Sequence, residues 1–137
     1  MSDSLPVTRV AAGVIGQGGR YLIARRKADA HLGGLWEFPG GKCDPDEALA
    51  DCLRRELWEE LAVRINTPIP LCVVNHEYPE RRVELHFFRC RIEEGEAKPL
   101  GCSELRWVTP GELSDFAFPP ADHVLIEQLQ SEPLPFP

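Results

Sequence analysis

The feature that most constrains this chain is a group of glutamates at helical spacing. Glu56, Glu59 and Glu60 stand at i, i+3 and i+4, so on a helix they share about a third of the circumference. Leu49 and Leu53 come earlier on nearly the same line as Glu56 and Glu60. A face that begins apolar and ends in carboxylates is poor core, because an unpaired buried charge is expensive. Hard divalent cations remove that cost, and Mg²⁺ prefers such oxygen ligands. The competing reading of a Glu-Glu pair is a solvated helix face. The in-line leucines, the Gly40-Gly41 loop upstream and Arg55 beside Glu56 favour a site.

Asp44-Pro45-Asp46-Glu47 supplies a helix start. Asp44 suits the N-cap, Pro45 suits N1, and Glu47 at N3 closes a capping box. The predicted helix then runs to about Leu61. Strands are predicted over residues 7–15, 20–25, 71–76, 83–91 and 104–108, with a short extended piece at 35–38. Gln17-Gly18-Gly19 reads as a tight turn, residues 26–34 and 93–101 as loops, and Thr109 to Leu113 as a capped helical turn. Residues 121–130 repeat apolar positions at helical spacing. The order is that of one α+β or αβα layered domain over residues 1–137. Its core spans about 7–130, and residues 131–137 form a tail too rich in proline for helix.

A chain of 137 residues can enclose a core of its own. Its 43% apolar and 27% charged content is that of a soluble globular protein. No apolar run approaches the length needed to span a membrane, and residues 1–6 lack the basic and apolar regions of a signal peptide. The five cysteines are odd in number and show no Cys-x-x-Cys spacing, so they read as reduced thiols of a cytoplasmic protein. A net charge of −7 argues against a nucleic-acid partner, which needs a basic surface. It leaves room for a phosphorylated small molecule if cations neutralise the site.

Residues 41–63 follow the pattern Gly-x5-Glu-x7-Arg-Glu-Leu-x-Glu-Glu-x-Ala-Val, which resembles the signature of the Nudix hydrolases. Ala62 stands where that family has glycine. Glycine suits a left-handed helix C-cap, and alanine adopts that geometry at modest cost. The resemblance implies a Nudix fold, a mixed β-sheet sandwiched between helices, with the signature as loop–helix–loop. It also implies that Glu56, Glu59 and Glu60, with the Gly40 carbonyl, ligate Mg²⁺ or Mn²⁺. Arg55 would hold a first-turn Glu47 and so orient Glu56. Divalent ions in such a cluster clamp a polyphosphate and acidify a bound water, and no serine or cysteine nucleophile is needed.

Further segments resemble the MutT branch: Arg25-Arg26-Lys27-Ala28-Asp29-Ala30-His31, Leu35 to Lys42, and Phe118-Pro119-Pro120-Ala121-Asp122. That branch cleaves nucleoside triphosphates to the monophosphate and pyrophosphate, and includes oxidised-dGTP hydrolases and CTP pyrophosphohydrolases. Asp122 then matches the base-reading position. An ionised carboxylate only accepts hydrogen bonds, so it favours the amino edge of cytosine or adenine and repels O6 of guanine unless protonated. Its alternative role is to cap the last helix. Arg81 matches a residue that stacks on the base, or is a surface arginine. Arg26 would reach sugar or phosphate. The Phe38 backbone would bond the base while its ring joins the core. His31 is either a loop residue or part of the site.

Many relatives carry a glutamate general base six residues before the match to Trp107, where this chain has Gly101. Either Glu104 takes that role from a shifted loop, or Glu56 is both ligand and base. Otherwise Glu104 is a strand-edge charge. The leading expectation is a monomeric or homodimeric (d)NTP pyrophosphohydrolase that cleans the nucleotide pool of species such as 8-oxo-dGTP. A CTP or modified-cytosine enzyme is its rival. A Nudix-fold binding module without catalysis is the other class, but such modules usually lack the ligand glutamates that this chain keeps.

Overall fold

A computed structural model describes residues 6–132. The elements, in chain order, are β1 (Val7–Gln17), β2 (Arg20–Arg25), β3 (Trp36–Glu37), β4 (Gly40–Lys42) and α1 (Leu49–Leu61). There follow β5 (Arg64–Ile65), β6 (Ile69–Glu77), β7 (Arg82–Cys90), β8 (Ile92–Glu94), β9 (Glu104–Val108) and α2 (His123–Ser131). Two 3₁₀ turns, Gly111–Asp115 and Pro120–Asp122, lie between β9 and α2.

Seven strands form one sheet in the path β3-β2-β1-β7-β6, with β4 added to β1 and β9 to β2. The β1–β7 pair is parallel and runs from Val7↔Arg82 to Ile15↔Cys90. The other pairs of this sheet are antiparallel, so the sheet is mixed as expected. Strand alternation divides its side chains between two faces. Ala12, Val14, Tyr21, Ile23 and Phe87 point to the layer that holds Leu125, Ile126 and Leu129 of α2. Ala11, Ile15, Leu22 and Phe88 point to the layer that holds Cys52, Leu53, Leu57 and Leu61 of α1. Each helix thus covers one face, and the domain is an αβα sandwich. Among the described residues no helix is long and apolar enough to cross a membrane.

The start of α1 departs from expectation. The helix begins at Leu49 with Ala48 as N-cap, and no side chain caps it. Half of the predicted box survives two residues upstream as a closed turn, where Asp44 N donates to Glu47 Oε1 at 3.0 Å. Arg9 braces this turn: one of its terminal nitrogens donates to the carbonyls of Asp44, Pro45 and Glu47 at 2.9, 3.2 and 2.8 Å. The Asp44 carbonyl also accepts the Glu47 N–H at 3.0 Å, so the segment closes as a separate turn ahead of the helix. Glu47 therefore precedes the helix and is not in its first turn.

The apolar line of α1 also differs. It does not give way to glutamates but continues through Leu53, Leu57 and Leu61, all buried. Glu56 and Glu60 sit one position back from Leu57 and Leu61, on the margin of that line. At the other end the expected left-handed cap is present: Ala62 has φ 59° and ψ 39°, and its N–H bonds the Trp58 carbonyl. Backbone N–H groups of Lys98, Leu100 and Gly101 take up the Leu61 and Glu60 carbonyls at 3.0–3.1 Å, so the loop before β9 is stitched to the helix end.

Three smaller expectations meet mixed outcomes. Thr109 and Glu112 cap the first 3₁₀ turn reciprocally, through N–H to Oε1 at 2.8 Å and N–H to Oγ1 at 3.3 Å. Residues 92–94, expected to lie partly in a loop, form β8 and pair with β5. The helix α2 reaches Ser131, and the tail beyond residue 132 lies outside the described residues.

Candidate active site

Arg55 organises the signature. Its Nε and one terminal nitrogen grip both oxygens of Glu47 at 2.8 Å each. The other terminal nitrogen donates to Glu56 Oε2 and Glu59 Oε1 at 3.0 Å each, and a last N–H reaches the Lys42 carbonyl at 3.1 Å. Every guanidinium donor is used. The bidentate contact, the strongest geometry for this pair, holds the Glu47 carboxyl down at about 2, with help from the Asp44 N–H. The same bonds raise the affinity of Arg55 for its proton.

Two adjoining pockets share Arg26, Glu37, Gly40, Gly41 and Lys42 in their walls. The polar one is lined by Glu56, Glu60, Glu37, Gly40, Gly101 and Arg26, among others. The Glu60 carboxyl is pushed up to about 7, chiefly by burial and then by the charges of Glu56 and Glu37. Carboxylates crowded in this way, on a pocket that Gly40 also lines, offer oxygen donors of the kind that suits a hard divalent ion. Glycines make the crowding possible. A Cβ on Gly41 would fall on the Glu56 carboxylate, and one on Gly101 would stand 2.6 Å from Glu60 Oε2. A side chain at position 101 would therefore meet the movable end of Glu60.

Two predicted residues lie apart. The Glu59 side chain is 54% exposed and bound to Arg55, and it does not line the polar pocket. Glu104 bonds Arg106 at 2.7 Å and stands 4.0 Å from Arg25. It lines neither pocket, so its placement is that of the strand-edge charge.

The second pocket gathers Arg26, Phe38, Arg81 and Asp122 with His31, Tyr78 and Phe87. The Phe38 ring is core: it stacks on Phe118 and meets Phe87 edge-on. Asp122 occupies the N-cap position of α2 but makes no capping bond. It is 7% exposed, the one charged residue type in the buried set among the described residues. Burial, and then the charge of Glu37, push its carboxyl up to about 7.

Glu37 was missed in the sequence, yet it lines both pockets. It bonds Arg26 at 2.7 Å, and Arg26 also donates to the His31 carbonyl at 2.6 Å. Burial raises the Glu37 pKa against the pull of Arg26. The available signal was alternation: a charge between Trp36 and Phe38 must lie across the strand from both aromatics.

Carboxylates gathered behind a glycine loop, beside a pocket with aromatic walls and arginines, define a hydrolase for phosphorylated aromatic molecules. The comparisons make that class specific. The NUDIX domain model matches residues 10–128, and the chain belongs to the Nudix hydrolase family, whose members generally use a divalent metal. It is 32% identical to the CTP pyrophosphohydrolase of Escherichia coli K12 over 123 residues, covering 90% of this chain and 91% of that one. It is also 32% identical to the 8-oxo-dGTP diphosphatase of the same strain over 126 residues, covering 89% and 95%. Among solved structures it resembles the E. coli ORF135 protein (TM-score 0.80, 31% identity, 96% of both chains). It also resembles a MutT protein from Methanosarcina mazei Go1 (TM-score 0.83, 26% identity, 96% and 98%).

Proposed function

We propose that this Nudix hydrolase cleaves oxidised purine nucleoside triphosphates, 8-oxo-dGTP foremost, to the monophosphate and pyrophosphate. The observation that carries the reading is the buried Asp122 on the wall of the second pocket, whose carboxyl is pushed up to about 7 and so keeps a large protonated fraction at neutral pH. A neutral carboxyl has one donor and one acceptor. It can donate to O6 of an oxidised guanine and accept from a neighbouring ring N–H, as an asparagine amide would. Arg81 and Tyr78 stand on the same pocket and offer surfaces on which a base can stack.

Glu56, Glu60 and the Gly40 carbonyl would hold Mg²⁺ or Mn²⁺, which supplies charge neutralisation on the polyphosphate and a more acidic water. Glu59, paired with Arg55 and outside the pocket lining, is not needed in that set. Arg55 orients Glu56 through Oε2, and the Glu56 carboxylate would act both as metal ligand and as the base that takes the proton of the attacking water. Glu104 is not required for this step. Arg26 and Lys42 line both pockets and place positive charge between base and phosphates. Glu37 keeps Arg26 in that position. Attack at the β-phosphorus then consumes one water and releases pyrophosphate and the monophosphate.

A cytosine nucleotide is the second reading, supported by the same residue in its other state. Above about pH 7 Asp122 ionises and only accepts, which suits the cytosine amino group. The test is kcat/KM for 8-oxo-dGTP and CTP between pH 6 and 9 with saturating Mg²⁺. The ratio in favour of 8-oxo-dGTP should fall as pH rises through about 7. CTP preferred at every pH would replace the first reading with the second.

A further inference from the structure

A second cluster of ligand-type side chains gathers around Glu47, the carboxylate that Arg55 also holds. Cys43, Cys52 and Glu47 bring their sulfur and carboxylate atoms within 4.8 Å of one another. Two thiolates on one zinc ion stand about 3.8 Å apart, from Zn–S distances near 2.3 Å and tetrahedral angles. The cluster therefore needs to contract by less than about 1 Å to enclose an ion. Cys52 is fully buried against this group, and its sulfur lies 3.7 Å from the Gly41 carbonyl, a further oxygen at the same spot. Cys43 is partly exposed, which gives an entry path.

Glu47 has room for one more partner. An ionised carboxylate offers about four acceptor sites. Oε1 accepts from Asp44 N and Arg55, whereas Oε2 accepts from Arg55. The Cys52 thiol lies against that carboxylate and helps keep it ionised. Burial raises the Cys52 pKa, and Cys43 adds to the effect, so the thiol proton is what an ion would displace.

We propose that Cys43, Cys52 and Glu47 form a site for one thiophilic divalent cation of the zinc class, separate from the hard-cation cluster at Glu56 and Glu60. Thiolates select such ions over Mg²⁺, so the two sites discriminate by ligand softness. Binding releases the two thiol protons and puts a dipositive charge on Glu47. That charge competes with the guanidinium for the carboxylate. Arg55 also holds Glu56 and Glu59, so occupancy loosens the glutamates and lowers hydrolysis. This last link rests on the function proposed above; binding itself does not.

The test uses Cd²⁺ on reduced, metal-free protein, read by its thiolate-to-metal charge-transfer absorption. A band should saturate at about one equivalent. Cys43→Ser and Cys52→Ala should each weaken binding at least about tenfold, with Cys43→Ser keeping the wild-type melting profile. A band undiminished in both variants, or none with the wild type, overturns the site. A separate readout addresses the link: Zn²⁺ should inhibit Mg²⁺-supported hydrolysis even at saturating Mg²⁺, and less so in Cys43→Ser. Equal inhibition of both proteins would refute the coupling through Arg55 while leaving the absorption result to judge the site.

Discussion

Replacing Asp122 with asparagine should stabilise the free protein at neutral and alkaline pH. The Asp122 carboxyl lies among buried groups, 7% exposed, and its pKa rises from 3.8 to about 7. The folded state therefore binds a proton that the unfolded state has already lost between those values. An acid with a raised pKa favours folding most at low pH. Its contribution declines as pH climbs from about 4 to about 7 and is fully lost above. A shift of about three units corresponds to at most about 4 kcal/mol. Asparagine has the same shape and does not ionise, so the difference between variant and wild type isolates this group. Denaturant unfolding from pH 3.5 to 8.5 should show near-equal stabilities at the acid end, with Asp122→Asn gaining about 2–4 kcal/mol by pH 8. A difference that stays flat across that range would refute the buried, near-neutral carboxyl. The base-reading argument built on it would fall as well.

Ala62→Gly should raise stability by about 1 kcal/mol, because Ala62 sits at φ 59°, where a side chain is penalised and glycine is not. Equilibrium urea unfolding measures this. Glu104→Gln should leave kcat within about twofold of wild type, since the side chain is paired with Arg25 and Arg106 outside both pockets. A loss of roughly 100-fold, the scale expected for a general base, would restore Glu104 to the chemistry.

The strands were legible because alternation and β-branched runs carry a local signal, and the two-faced core followed from them. The helix start was not, because the capping pattern of Asp44 to Glu47 is local while Arg9, which braces that segment as a separate turn, is remote in sequence. The Arg55–Glu47 pair was anticipated by the signature, and Glu56, Glu60 and Gly40 line one pocket because one helix and one loop carry them. Glu37 was not, because its importance lies in standing between two pockets that no single segment forms. The resemblance marked Asp122 as a candidate base reader, with helix capping as its alternative. Its near-neutral state depends on burial and on Glu37, and neither can be read from the residues around it.

The most direct measurement of the central claim is pyrophosphate release from 8-oxo-dGTP with Mg²⁺, comparing wild type with Glu56→Gln and Glu60→Gln. The account predicts Mg²⁺-dependent turnover by the wild type and a loss of roughly 100-fold or more in each variant, because both carboxylates face the polar pocket. Folded variants that retained wild-type rates, or hydrolysis indifferent to Mg²⁺, would contradict it.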